Sequence, residues 1–96
     1  MRIFLSRSIY DSEDKIVSII KELETEGHFV YDGVKVYQAA AKRGADDEAA
    51  CQECFRCIDE CDLCLIVPCF TPGVQAEYAY AKRTGKKRRI LRRILR

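Results

Sequence analysis

Asp62-Leu-Cys-Leu-Ile-Val-Pro-Cys-Phe-Thr71-Pro-Gly-Val-Gln-Ala-Glu77-Tyr-Ala-Tyr-Ala-Lys-Arg-Thr-Gly85 is the stretch whose reading decides the fold. The apolar run from Leu63 to Val67 is too short for a helix and reads as a buried strand. Pro68, Pro72 and Gly73 mark a turn. Val74 to Thr84 reads as a helix closed by Gly85, with Glu77 in or near its first turn. Strand, loop and helix in that order place a ligand at the carboxyl end of a parallel sheet. Backbone amides and the positive end of the helix dipole favour an ionised Glu77 there, suited to act as a nucleophile or to stabilise a cation. A glutamate at a helix start is also stabilising in its own right, so the pattern leaves both uses open.

Working outward, Arg2 to Leu5 is a first strand and Ser6 to Ser12 a polar loop. Asp11 or Ser12 is placed to cap a helix that shows Ile16, Ile19, Ile20 and Leu23 at helical spacing and ends at Gly27. His28 to Tyr31 reads as a second strand, and Asp32-Gly33 as a turn signal. A weak helix from Val34 to Lys42 breaks at Gly44. Another restarts at Ala45-Asp-Asp47 and runs to about Cys61. Arg89 to Leu91 begins a fourth strand. Strands alternating with helices imply a parallel sheet covered on both faces, in a single domain over residues 1–91. Residues 92–96 form a basic end, and the near-repeat over residues 88–95 is too short to be a structural unit.

The chain's 96 residues make a small domain with a modest core, which a partner subunit would help to stabilise. No apolar run approaches the ~20 residues that span a bilayer, and no secretory pattern opens the chain, which points to the cytoplasm and reduced cysteines. The net charge of +2 hides an asymmetry. Nine Lys/Arg and no acids lie from Lys82 onward, whereas residues 1–81 carry a net −7. Such a tail invites a nucleic-acid reading. The absence of aromatic residues interleaved in it for base stacking argues for a solvated extension instead.

Cys51, Cys54, Cys57 and Cys61 have the spacing of a ferredoxin cluster loop. The residue after the fourth is Asp62 rather than proline, and the stretch is amphipathic. Ala50, Cys54, Ile58 and Cys61 share one face, with Gln52, Arg56, Asp59 and Glu60 on the other. Core packing is therefore the expectation, with no metal and no cofactor. Ser6 to Ser12 follows a strand and precedes a helix, so its amides and hydroxyls are placed to hold a phosphate, although no glycine-rich signature is present. Thr71 and Gly73 lie at the same sheet edge. His28 opens an apolar strand and reads as structural, and Tyr80 is placed to share the face of Glu77, with core or subunit packing as its expected use.

Taken together these segments resemble a family. Gly73-Val-Gln-Ala-Glu77-Tyr-Ala-Tyr-Ala81 followed by Thr84-Gly-Lys86 is similar to the glutamate motif of the nucleoside 2-deoxyribosyltransferase superfamily. Arg2-Ile-Phe-Leu-Ser-Arg-Ser-Ile9 resembles the opening strand and loop of its 2′-deoxynucleoside 5′-phosphate N-hydrolase branch. Ala39-Ala-Ala-Lys-Arg-Gly44 and Glu60-Cys-Asp-Leu-Cys-Leu-Ile-Val67 follow in the same order. The resemblance implies a small Rossmann-like, flavodoxin-related three-layer α/β sandwich, with a parallel sheet of four or five strands, assembled as a homodimer or larger. It implies cleavage or transfer at the N-glycosidic bond of a small-molecule nucleoside or 5′-monophosphate, with Glu77 attacking the anomeric carbon. Ser6, Ser8, Ile9, Tyr10, Thr71 and Gly73 would bind substrate, Ser8-Ile9, Thr71 and Gly73 on the phosphate side.

The chain departs from the family at three positions. Cys54 stands where an aspartate aids proton transfer, and Glu53 beside it faces elsewhere. Tyr10 replaces an arginine, and Thr71 an aspartate common in the transferases. A nucleotide-binding module without catalysis is the alternative these departures raise. A second is an NAD-cleaving domain of the TIR type, which shares the opening strand, serine-rich loop and helix glutamate.

Overall fold

The computed structural model describes residues 1–92. Four strands, β1 (Arg2–Ser6), β2 (Phe29–Asp32), β3 (Leu63–Ile66) and β4 (Arg88–Ile90), alternate with helices α1 (Glu13–Thr25), α2 (Gly33–Lys42), α3 (Asp47–Glu60) and α4 (Pro72–Arg83). Every strand pair is parallel, in the order β2-β1-β3-β4. This is the doubly wound α/β architecture that the alternation predicts, and the four described strands fall within the expected number. Chain direction across the sheet reverses between β1 and β3, so the crevice beyond their carboxyl ends is the switch point where such folds bind ligands.

The strand period of two divides the core into two layers. Ile3, Leu5, Leu63 and Leu65 pack against Ile16 and Ile19 of α1 on one face. Phe4, Cys64 and Ile66 pack on the other against Cys54 and Ile58 of α3 and Val74 and Ala81 of α4. Ala50, Cys54, Ile58 and Cys61 are all buried, as the amphipathic reading of α3 expects.

The helix ends follow local chemistry. Ser12 caps α1, its hydroxyl accepting from the Lys15 amide, with Glu13 and Asp14 in the first turn. Asp46 caps α3 through the Ala49 amide at 2.8 Å. Asp32-Gly33 differs from the expected turn. Asp32 closes β2 and its carboxylate accepts from the Val34 amide at 3.0 Å, which makes it the N-cap of α2. Gly33 is the first residue of that helix, and a Cβ there would lie 2.9 Å from the Phe4 ring and 3.0 Å from the Leu5 carbonyl oxygen. Glycine is required at this position by close packing rather than by a turn. Helix α4 begins at Pro72, two residues earlier than the sequence suggests, with proline in its favoured first position. The fourth strand covers the first three residues of the basic near-repeat. Residues 93–96, and with them most of the basic end at 92–96, lie outside the described residues.

Candidate active site

The carboxyl edge of the sheet carries polar groups that the rest of the core excludes. Ser6 ends β1 fully buried, and Arg7 and Ser8 follow it, both buried. Arg7 bonds both carboxylate oxygens of Asp32, at 2.9 and 2.8 Å, and its Nη1 lies 3.1 Å from Glu13. Burial works against the guanidinium charge, but Asp32 and Glu13 more than offset it and raise the Arg7 pKa. That pair ties the loop after β1 to the end of β2 and holds a second carboxylate close to Glu77.

Glu77 is the sixth residue of α4, in the second turn, near the first turn as the sequence reading has it. It is partly buried, and the Ser6 hydroxyl donates to its Oε1 at 2.5 Å. The Cys54 thiol of α3 donates to the Gly33 carbonyl oxygen, 3.6 Å from its sulfur, and lies beside Glu77. Burial pushes the Glu77 carboxyl up to about 7, bonds from Ser6 and Cys54 pull the other way, and the Asp32 charge adds to the rise. The expectation of a carboxylate held ionised by the helix terminus is thereby corrected: the dipole acts within the first turn, and desolvation dominates one turn further in. The Cys54 thiol is raised as well, by burial first and then by the Glu77 charge. It stays a neutral thiol beside that carboxylate.

Above Glu77 opens a cleft of about 490 Å³. One wall is the loop after β1, with Arg7, Ile9 and Tyr10; another is the start of α4, with Thr71, Pro72, Gly73 and Ala76. The third is the helical hairpin of α2 and α3, with Gly33, Val34, Tyr37, Gln38, Asp47, Cys51 and Phe55. The Tyr37 hydroxyl donates to Asp47 across this hairpin, which lifts the Tyr37 pKa to about 12.

Of the residues named from sequence, Glu77, Ile9, Tyr10, Thr71 and Gly73 line the cleft, and Ser6 reaches it through Glu77. Thr71 makes no side-chain cap bond, which leaves its hydroxyl free at the start of α4. Ser8 does not line the cleft. Its hydroxyl accepts from the Tyr10 amide and its own amide donates to Asp11, each at 3.0 Å, so it shapes the loop from within. Tyr80 is used in packing, as expected, stacking on Phe55 at 4.3 Å and donating to Asp59. Glu53 pairs with Arg56 away from the cleft, as its expected orientation requires. The sequence does not mark Arg7, Asp32, Tyr37 or Asp47 as residues of the cleft. An arginine inside a serine loop and a turn-like Asp-Gly are the only local signals for the first two. Among the described residues no three His, Cys, Asp or Glu side chains converge as a metal site would need, and no helix is long and apolar enough to cross a membrane.

Fold and cleft together define a class: a small doubly wound α/β domain with a crevice at its switch point and a carboxyl of raised pKa on the crevice floor. Among solved structures, the chain is similar to the CMP N-glycosidase BcmB of Clostridium botulinum. The TM-score is 0.72 at 24% identity, over 94% of this chain and 67% of that one. No family model and no curated protein matches the sequence significantly.

Proposed function

We propose that the protein cleaves or transfers the N-glycosidic bond of a nucleoside or nucleoside 5′-monophosphate, with Glu77 as the nucleophile. The observation that carries this reading is the Ser6-bonded carboxyl of Glu77 on the floor of the switch-point cleft. The likeness of fold to a CMP N-glycosidase supports it.

In this reading Ser6 occupies Oε1 and leaves Oε2 for the sugar. Oε2 attacks the anomeric carbon as the C–N bond breaks, and the base departs with the bonding electrons and takes up a proton. Water, or a second base, then displaces the ester and restores the carboxylate. A carboxylate stripped of water is destabilised in the empty cleft, and positive charge developing on the sugar relieves that strain in the transition state. Ile9, Tyr10, Thr71 and Gly73 hold the phosphate side. The domain spans residues 1–91 and works as a homodimer in the cytoplasm, without a cofactor.

One observation favours a second reading. Cys54 offers Glu77 a neutral thiol where the resemblance implies a carboxylate that moves protons, which suits a module that binds nucleotides without turning them over. Incubation with a panel of nucleosides and monophosphates, followed by chromatography for free base, separates the two. The first reading expects base release by the wild type and none by Glu77→Gln. The second expects nucleotide-dependent thermal stabilisation with no release by either.

A further inference from the structure

Breaking an N-glycosidic bond takes a nucleophile at the sugar and, when the base is neutral, a proton for the departing nitrogen. The cleft supplies the first and not the second. The Cys54 thiol beside Glu77 directs its proton to the Gly33 carbonyl oxygen, and burial raises its pKa. The Tyr37 hydroxyl donates to Asp47, which lifts it to about 12. Burial raises Cys51 as well, with the Asp47 and Glu77 charges adding to the rise. Tyr10 is 84% exposed and stands at the rim. Glu77 itself is pushed up to about 7, but a carboxyl that keeps its proton is no nucleophile.

The charges around the cleft point the same way. Asp47 and Glu77 line it, together with the aromatic side chains of Tyr10, Tyr37 and Phe55. Among the described residues Arg7 is the one basic residue of the lining. Its side chain is wholly buried, forked onto Asp32 at 2.9 and 2.8 Å with Glu13 at 3.1 Å, so two acids outweigh its charge. Acids and aromatic walls without a free cation attract a positively charged ring.

We propose that the site takes nucleosides or nucleotides whose base is a ring cation, a pyridinium or an N7-alkylated purine, which departs without being protonated. The assignment rests on the reading of Glu77 as the nucleophile of an N-glycosidase. Glu77 Oε2 bonds to the anomeric carbon as the C–N bond breaks. The electron pair of that bond stays on the ring nitrogen and cancels the positive charge, so the base leaves neutral and no proton moves. Water then adds its hydroxyl to the anomeric carbon, its other proton passes to solvent, and the Glu77 carboxylate is restored.

The test compares pairs that differ in that charge: nicotinamide riboside with its reduced dihydro form, and N7-methylguanosine with guanosine, each also as the 5′-monophosphate. Base release by the wild type and by Glu77→Gln is followed by chromatography, and each rate is divided by the uncatalysed rate of the same compound. The acceleration should be about 100-fold or more greater for the cationic member of each pair, the contribution of the general acid that a neutral base would need. Glu77→Gln should lose it. Release from nicotinamide riboside should rise with pH to a plateau and show no falling alkaline limb, because no acid is there to be lost. The pyridinium and purine arms show which ring the cleft fits. Equal acceleration of both members of each pair, or an alkaline limb with nicotinamide riboside, overturns this assignment and leaves the glycosidase reading standing. No release from any of the compounds overturns both.

Discussion

The two faces of the sheet are built from the same strands by opposite rules. On the α1 face Ile3, Leu5, Leu63, Leu65, Ile16 and Ile19 form a wholly aliphatic layer. At the carboxyl edge of the other face Ser6 and Arg7 are buried, and Glu77 is sunk far enough to lift its carboxyl to about 7. Burying such groups costs stability that apolar residues would supply, and natural proteins accept that cost mainly at functional sites. The contrast separates residues that hold the fold from residues that the proposed function assigns to a substrate.

That contrast breaks if substitutions on the two sides have the same consequences. Ile16→Ala, in the α1 layer, should lower the unfolding free energy by about 2–5 kcal/mol in denaturant titration and leave nucleotide affinity unchanged. Glu77→Gln should do the reverse and stabilise the fold. The carboxyl pKa is higher folded than unfolded, so the native state holds its proton more tightly. The Glu77 contribution to wild-type stability therefore falls as pH rises from about 4.5 to about 7 and is level above that. The variant should exceed the wild type by about 3 kcal/mol above pH 7, with the gap closing below pH 4.5. An equal difference at both ends of that range would place Glu77 in solvent. Smaller again is Ser6→Ala. Loss of the 2.5 Å bond removes the principal interaction favouring the charged carboxyl, so the acidic limb of the pH–rate profile should move up by about one unit, or about 1.4 kcal/mol. A downward move would show that Ser6 favours the protonated form.

Much of this architecture is legible in the chain. Leu63 to Val67 is a short apolar run with proline behind it, and Ile16 and Ile19 repeat at helical spacing, so β3 and α1 declare themselves locally. The amphipathic face of α3 likewise decides between core cysteines and a cluster loop. Asp32-Gly33 misleads because a turn and a strand running into a capped helix call for the same two residues. What distinguishes them is the Phe4 ring against Gly33, a contact 29 residues distant in the chain. Glu77 stands out as a candidate from its place after the strand and loop. Its protonation does not, because the groups that set it come from β1, α3 and the end of β2. The Arg7–Asp32 pair joins loops 25 residues apart and leaves no periodic trace. Ser8 shows the converse: its position suggests a ligand contact, while the structure spends its hydroxyl on the Tyr10 amide.

The claim that Glu77 forms a bond to the sugar is tested most directly by intact-mass analysis after mixing the protein with 2′-fluoroarabino nucleoside monophosphates, whose glycosyl-enzyme esters hydrolyse slowly. A gain of one fluorinated sugar phosphate, mapped by peptide digestion to Glu77 and absent from Glu77→Gln, is the predicted result. Base release at the wild-type rate by Glu77→Gln, or an adduct on any other residue, would contradict it.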